Sequence, residues 1–400
     1  MSDNRDFIPI AKPLLDEREA AAASRAILSG WVTQGPEVAA FEREFATSVG
    51  ASHACAVSNC TSALHLALIA IGVRPRDEVI TVSHSYIATA NSIRYCGAMP
   101  VFVDIDPSTF NLNPDLLESA ITARTRAIVC VHQMGMPSDL SALLRIARRH
   151  SLPVIEDAAC AIGSEILWKG EWAKIGKPHA DVACFSFHPR KIITTGDGGM
   201  LTTANPEFDR TFRLLRQHSM SVPDTVRHAS NQVTFEEYPK LGYNYRMTDI
   251  QAAVGREQIK RLPEIVARRR ELAARYNRLL GGVPGLTVPY EPPFAKSNWQ
   301  SYSVRIPDGC DQMAVMQFML DRAIATRRGI MCAHREPVFQ GHYLTAGPLA
   351  ESEAAQDHAI ILPLFHEMTS LQQDRVVQAL TDAVCSERTG NLEQRDTVAH

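Results

Sequence analysis

The chain has 400 residues, of which 45% are hydrophobic and 21% charged, with a formal net charge of −3 at pH 7. This length exceeds the size at which one hydrophobic core stops growing, so we expect two structural units, and the slightly acidic balance argues against a broad basic surface for nucleic acid. Nine cysteines without a C-x-x-C pair indicate neither a zinc site nor a disulfide framework, so we predict no bound metal and a reducing, cytoplasmic location.

Apolar segments that alternate with helical patterns predict an α/β fold with a mostly parallel sheet and helices on both faces. The segments that we interpret as buried strands are 53–57, 78–83, 100–103, 127–132, 153–157 and 182–187. Open sheets of this kind bind ligands beyond the carboxyl ends of their strands, so the residues that follow these segments are the first candidates for a site.

The turn after the first strand, 58–62, opens a helix with hydroxyl-bearing residues, among them Thr61 and Ser62. Free backbone N–H groups and the positive end of the helix dipole make such a turn suitable for binding phosphate. The alternative is an ordinary helix start, since Ser and Thr begin many helices that bind nothing.

An aromatic residue, Tyr86, follows the second strand. Its ring is a candidate for stacking on a flat cofactor, because aromatic rings prefer offset aromatic neighbours. The alternative is a tyrosine that packs in the core at the start of a helix.

The strand that ends at Asp157 places an acidic side chain at the edge where ligands bind. Pyridoxal phosphate requires a carboxylate of this kind, because a protonated pyridinium nitrogen lets the ring accept electrons. We choose Asp157 for this role, and Glu156 is the competing candidate.

Lys191 lies where an apolar strand gives way to a turn rich in threonine and glycine. A lysine that forms a Schiff base must be held rigidly at the opening of a cleft. The end of a strand followed by a tight turn can hold a residue in this way. A solvated surface lysine is the alternative.

The second half of the chain begins with long helical material at 248–280, interrupted by Pro263, which we interpret as the bridge between the two units. A strand at 301–306 and a helix at 311–322 start the smaller unit. We predict four segments: an N-terminal segment at the active site and dimer region (1–35), a large cofactor-binding domain (36–262), a small C-terminal domain (263–385) and a disordered tail (386–400).

No targeting or membrane segment is expected. Residues 1–6 have no apolar core of signal-peptide length, and no later stretch is long enough to span a bilayer.

Together the motifs resemble the DegT/DnrJ/EryC1/StrS family, the sugar aminotransferases of the fold-type-I pyridoxal-phosphate class. Further stretches that carry the resemblance are 13–16, 29–36, 242–253, 299–302, 326–337 and 362–365. The resemblance implies a large domain with a mostly parallel seven-stranded sheet and a smaller α+β domain at the C-terminus.

The resemblance also implies a role for each matching residue. Lys191 would carry the cofactor and move the proton in both half-reactions, Asp157 would pair with the pyridinium nitrogen, and Tyr86 would stack on the ring. The phosphate positions are matched by Thr61, Ser62 and Ser186.

Asn244 matches an asparagine that reaches the cofactor phosphate of the neighbouring subunit, which implies a homodimer with shared active sites. Trp31 and His334 match positions that line the sugar pocket. Arg327 and Arg328 are candidates for a substrate diphosphate, since guanidinium groups suit phosphate oxygens, with ordinary surface arginines as the alternative.

Three positions depart from the family pattern. Cys160 stands where Gln or His is common, and a thiol is a poor substitute for an amide in hydrogen bonding. Cys60 stands where many relatives have Gly in the phosphate turn, and Met134 stands where an aromatic residue is frequent.

The expected function is transfer of an amino group from an amino acid, with L-glutamate as the expected donor, to a nucleotide-linked 3- or 4-keto-6-deoxy sugar. We expect the cofactor cation to lower the pKa of Lys191. The alternatives are amination of a cyclitol or other ketone, a sugar 3-dehydratase of the same family, against which the presence of Lys191 argues, and a regulator that only binds the cofactor or a sugar nucleotide.

Overall fold

The computed structural model describes residues 7–222, 232–233 and 235–398, with side chains described up to Glu387. Residues 1–6 of the predicted N-terminal segment and the last two residues of the predicted tail lie outside this range. The helices are α1 (Glu17–Leu28), α2 (Pro36–Val49), α3 (Cys60–Ala70), α4 (Ala88–Tyr95), α5 (Leu140–Arg149), α6 (Pro206–Leu215), α7 (Asp249–Leu280), α8 (Gln312–Leu320), α9 (Ala350–His358) and α10 (Ser370–Val398).

In the described part of the chain, fourteen strands form three sheets. They are β1 (His53–Val57), β2 (Glu78–Val82), β3 (Met99–Val103), β4 (Thr125–Val131), β5 (Val154–Asp157), β6 (Glu165–Trp168), β7 (Glu171–Lys174), β8 (Val182–Ser186), β9 (Gly199–Thr203), β10 (Ala295–Lys296), β11 (Tyr302–Arg305), β12 (Arg327–Arg328), β13 (Leu344–Thr345) and β14 (Ala359–Leu362).

The large sheet has the order β1-β9-β8-β5-β4-β2-β3-β13. It is mostly parallel, with antiparallel pairing only at β9, which pairs with β1 on one side and β8 on the other. Seven of these strands match the predicted seven-stranded sheet, and the two-residue β13 adds an eighth at the edge beside β3. The predicted fold class is therefore confirmed.

Apolar layers cover both faces of the large sheet. On one face α2, α5 and the first half of α7 pack against the strands. On the other face α3 and α6 do so. The sequence of α3 is apolar on almost all sides, which allows this helix to be buried between the sheet and its neighbours, and its N-terminus borders open space.

The smaller unit is built on the sheet β11-β14-β12, whose core also includes the end of α7, α8 and α10. The helix α7 belongs to both units. Its residues up to Val266 pack in the core of the large sheet, and those from Leu272 onward pack in the small core. The predicted boundary after residue 262 thus falls inside a continuous helix that Pro263 does not interrupt, and the four-segment division remains a prediction.

The last helix, α10, continues to Val398. The sequence predicted a disordered tail from residue 386, because the pattern becomes polar there. A polar stretch without proline can extend a helix whose first turns are already packed, since none of its residues blocks the helical hydrogen bonds.

Within the described residues, no helix combines the length and the apolar character that crossing a membrane requires.

Candidate active site

A cavity of about 670 Å³ lies where the carboxyl ends of β4, β5 and β8 meet the N-terminus of α3. The smaller unit contributes to its wall through β12 and the end of β14. The predicted site residues that line it are Thr61, Ser62, Tyr86, Asp157, Ser186, Lys191, Arg327 and Arg328. Residues far apart in the sequence therefore converge at the edge of the sheet where a parallel arrangement places ligands.

The side chain of Lys191 enters the cavity from the turn after β8. Its backbone N–H donates to the carbonyl of His188 at 2.8 Å, which closes that turn. Its Nζ donates to Sγ of Cys160 at 3.0 Å. The amine of Lys191 is thus hydrogen-bonded to a thiol. At the position of Cys160 the family pattern predicts an amide or an imidazole.

Burial by itself lowers the pKa of Lys191, but Cys160, Cys60 and Asp157 together raise it above its ordinary value. The sequence led us to predict a lowered pKa from a nearby cofactor cation. The protein groups alone act in the other direction, because electron-rich sulfur atoms and a carboxylate lie near Nζ.

Asp157 lies at the end of β5, and its carboxylate lines the cavity. Its Oδ2 accepts a hydrogen bond from Oγ1 of Thr89 at 2.7 Å, and its Oδ1 accepts one from the N–H of Ala159 at 3.2 Å. Burial raises the pKa of Asp157, although both hydrogen bonds act to lower it. A cation that approaches this carboxylate would favour its ionised form.

Glu156, the competing candidate, does not line the cavity. Its side chain is fully buried, and its Oε2 lies 2.8 Å from Nε2 of His132. Neighbouring residues of a strand point to opposite faces, so Glu156 and Asp157 cannot both reach the same space. The geometry favours Asp157.

The turn after β1 directs the N-terminus of α3 into the cavity. Asn59 caps the helix by accepting a hydrogen bond from the N–H of Ser62 at 2.8 Å. A Cβ on Gly199 would lie 2.5 Å from the carbonyl carbon of Asn59, so the first residue of β9 must lack a side chain to support this turn. Cys60 does not have a positive φ, and the turn therefore tolerates a residue other than glycine there.

Tyr86 lies between β2 and α4, where its ring is 64% exposed and borders the cavity. The alternative of a buried core tyrosine therefore does not describe this chain. Met134, by contrast, is buried and does not line the cavity.

Arg327 and Arg328 are neighbours on β12, and the register of the small sheet separates them. Arg327 lies opposite Ile361, which lines the cavity, and Arg328 lies opposite Ile360, which is buried in the small core. Arg328 also has an acidic partner, with its guanidinium 3.7 Å from Glu336. Both arginines line the cavity, and of the two only Arg327 has a guanidinium without an ion-pair partner among the described residues.

Three predicted residues lie outside the cavity of this single chain. His334 is buried, with Nδ1 2.7 Å from Oγ of Ser83 and Nε2 3.0 Å from Glu353. Trp31 packs beside Gly35, and its Nε1 donates to the carbonyl of Gln34 at 3.1 Å. Asn244 is exposed. Their predicted roles toward a sugar or a neighbouring subunit stay predictions.

Sequence reasoning missed Thr89, which orients the carboxylate of Asp157. It also missed Arg190 and Gln300, which line the cavity beside Lys191. One feature of the sequence could have indicated Thr89 as a site residue. It lies three residues after Tyr86, and this spacing places both on the same side of a helix start. Gln300 comes from the smaller unit, and no local pattern connects it with the turn at Lys191.

The order of the large sheet, with Lys191 and Asp157 at the carboxyl ends of its strands, matches the fold-type-I class of aminotransferases. Comparison with protein families leads to the same class. A model of the DegT/DnrJ/EryC1/StrS aminotransferase family matches residues 13–381, and the chain belongs to this family.

Individual relatives agree with this assignment. The spore coat polysaccharide biosynthesis protein SpsC of Bacillus subtilis is 37% identical over 383 residues, which cover 94% of this chain and 97% of SpsC. The crystal structure of the aminotransferase TlmJ from Streptoalloteichus hindustanus superposes with a TM-score of 0.86 at 33% identity, covering 95% of this chain and 99% of TlmJ. S. venezuelae DesV, solved in complex with a ketimine intermediate, has a TM-score of 0.84 at 33% identity, covering 94% of this chain and 98% of DesV.

Proposed function

We propose that this aminotransferase moves the amino group of L-glutamate to a nucleotide-linked 3- or 4-keto-6-deoxy sugar, with pyridoxal 5'-phosphate as its cofactor. The observation that carries the proposal is the shared cavity, in which Lys191, Asp157 and the N-terminus of α3 face an arginine from the smaller unit. The polysaccharide-biosynthesis name of SpsC supports a sugar acceptor.

The residues present fit the cofactor. Lys191 would hold it covalently, the buried carboxylate of Asp157 would receive the ring N–H, and Tyr86 would cover one ring face. The N–H groups at the start of α3, with the hydroxyls of Thr61, Ser62 and Ser186, suit a phosphate group. When bound, pyridoxal phosphate supplies an electron sink that makes the α-proton of the donor acidic.

In the proposed mechanism Nζ of Lys191 removes the α-proton of the donor and returns a proton at the end of the half-reaction. The same atom performs the reverse transfers when the keto sugar accepts the amine. Nζ must be neutral to accept a proton, so the contacts that raise its pKa oppose the reaction and burial favours it. The hydrogen bonds from Thr89 and Ala159 favour the ionised form of Asp157 against the effect of burial, and the ionised carboxylate would maintain the charge of the ring nitrogen.

We propose that Arg327 binds the diphosphate of the acceptor, because its side chain lines the cavity and has no acidic partner among the described residues. Trp31 and His334 are proposed to border the sugar pocket from the outer side. Asn244 is proposed to reach the cofactor phosphate of a second subunit, so that the working form is a homodimer, and we propose that this dimer acts in the cytoplasm.

The test is an absorbance spectrum of the purified protein before and after addition of L-glutamate, with the Lys191→Ala variant as control. We expect a band near about 410–420 nm, typical of the cofactor bound to a lysine, that shifts to shorter wavelength with glutamate. Product analysis with nucleotide-linked keto sugars and with a cyclitol ketone then identifies the acceptor. A wild-type spectrum without this band after addition of pyridoxal phosphate, or an unchanged spectrum in the variant, would contradict the role of Lys191.

A further inference from the structure

Two guanidinium groups without an ion-pair partner among the described residues line the cavity. Arg190 comes from the large unit, and Arg327 comes from the smaller one. We propose that these two arginines form one anion site that serves both half-reactions, binding the carboxylates of a dicarboxylic amino donor first and the diphosphate of the acceptor afterwards. The inference rests on the proposed function and assigns the recognition of both substrates to the same pair of side chains.

The backbone of Arg190 is fixed on both sides of the residue. Its N–H donates to Nδ1 of His188 at 3.2 Å, and its carbonyl accepts a hydrogen bond from Nε2 of Gln300. The side chain itself is exposed at the cavity. The backbone of Arg190 is therefore held in place, and its guanidinium is exposed in the cavity next to Lys191.

The acidic side chains that line the cavity do not neutralise this pair. Asp157 is buried and bonded to Thr89 and the N–H of Ala159. Asp197 lies on the same turn as Lys191 but forms no ion pair with either arginine in the described part of the chain. Each guanidinium thus remains available for an external anion.

Arg328 supplies the contrast within the same strand. It also lines the cavity and has the same charge and a similar exposure, but its guanidinium lies 3.7 Å from Glu336. An anion in the cavity would interact with Arg327 in preference to Arg328, because Glu336 already offsets the charge of Arg328.

The chemistry of transamination explains why one site would serve two anions. The keto acid leaves before the keto sugar enters, so donor and acceptor occupy the same space in turn. A dicarboxylate and a diphosphate both present paired anionic oxygens, which a guanidinium binds with two parallel hydrogen bonds. Two arginines on different units can adjust to the different lengths of the two ligands.

The experiment measures binding of two unreactive probes, glutarate and uridine diphosphate, to the cofactor-loaded enzyme by isothermal titration calorimetry. Wild type is compared with Arg190→Gln, Arg327→Gln and Arg328→Gln, the last of which removes a cavity arginine whose charge Glu336 already offsets. We expect each of the first two variants to bind both probes about 10- to 100-fold more weakly, as loss of a charge-assisted hydrogen bond implies, and Arg328→Gln to weaken binding by less than about tenfold.

Loss of affinity for only one probe, an effect of Arg328→Gln equal to that of Arg327→Gln, or no binding of either probe to wild type would each overturn the shared site. The change in absorbance with L-glutamate is recorded on the same samples. A wild-type protein that reacts with glutamate while its arginine variants keep their affinity for glutarate refutes this inference alone. A wild-type protein that does not react refutes the proposed function.

Discussion

At the scale of single residues, the two neighbouring carboxylates of β5 are the clearest case, because the sequence favoured Asp157 and kept Glu156 as its competitor. Asp157 faces the cavity and Glu156 faces the buried imidazole of His132. The alternation of a strand decides between them, but only once the cavity is known to lie on one side of the sheet.

This pair supports a direct prediction. Asp157→Asn should slow the glutamate half-reaction by at least about 100-fold, because a neutral amide does not maintain the charge of the ring nitrogen, and such fixed electrostatic partners contribute about that much. Stopped-flow absorbance measures the rate. Glu156→Gln is the matched control and should change the rate far less, and equal losses in both variants would contradict the assignment of Asp157.

His84 carries a prediction about pH at the same scale. It is fully buried at the end of β2, and both of its ring nitrogens lack a partner among the described residues. Burial lowers the pKa of His84 from 6.5 to about 3. Below pH 6.5 the unfolded chain therefore binds a proton that the folded chain does not bind until about pH 3.

The expected consequence is a loss of stability as the pH falls through this window. The contribution of His84 to the free energy of unfolding should fall by about 1.4 kcal/mol per pH unit below pH 6.5. Urea unfolding at pH 7 and pH 5.5, compared between wild type and His84→Phe, isolates this contribution. The same pH dependence in both proteins would exclude a role for His84.

At the scale of elements, one side chain links two helices of the large unit. Asp249, the first residue of α7, accepts hydrogen bonds from the N–H groups of Gly35, Glu37 and Val38 at 2.7, 3.0 and 3.0 Å. These are the free donors at the start of α2, which has no side-chain cap of its own. A residue more than two hundred positions away thus caps the helix.

We therefore expect Asp249→Ala to lower the free energy of unfolding by about 2–4 kcal/mol, since three backbone donors lose a charged acceptor at once. Asp139→Ala is a suitable comparison, because Asp139 caps α5 through the single N–H of Ala142 and should cost about 1 kcal/mol. Denaturant unfolding measures both variants. A loss for Asp249→Ala no larger than for Asp139→Ala would show that the link between α2 and α7 contributes little.

The sequence predicted the longer buried strands better than the short strands that form through pairing with a neighbour. Six strands of the large sheet begin and end within two residues of the predicted segments, because buried apolar runs bounded by polar turns mark them clearly, whereas β9 was not predicted. The sequence did not predict β13 or β12 as strands, since two residues carry no periodicity and owe their pairing to the neighbours β3 and β14.

At the scale of the whole molecule, the proposed homodimer predicts that activity depends on residues from two subunits. Lys191→Ala removes the proposed catalytic amine. Asn244→Asp places a negative charge where the cofactor phosphate of the neighbouring subunit is proposed to lie. Each variant alone should be nearly inactive. A hybrid dimer that contains one subunit of each kind has one site in which both wild-type residues meet.

Equal amounts of the two variants, unfolded and refolded together, should recover about a quarter of wild-type activity, since half of the dimers are hybrid and each has one intact site. The steady-state rate with glutamate and an active acceptor measures the recovery. Separate refolding followed by mixing serves as the control. A mixture that stays as inactive as its components would show that Asn244 does not act across a subunit interface.

The sequence by itself predicted the α/β class, the strand ends that carry Lys191 and Asp157, the preference for Asp157 over Glu156, and the turn before α3 that is proposed to bind phosphate. Those features are local, because burial periodicity and turn chemistry act over a few neighbouring residues. Tertiary structure alone decided that Glu156 does not line the cavity, that Arg327, unlike Arg328, has no ion-pair partner among the described residues, and that Arg190, Gln300 and Thr89 line the cavity. The reason is physical: orientation and charge neutralisation depend on partners distant in the chain, which meet only when the two units pack around one cavity.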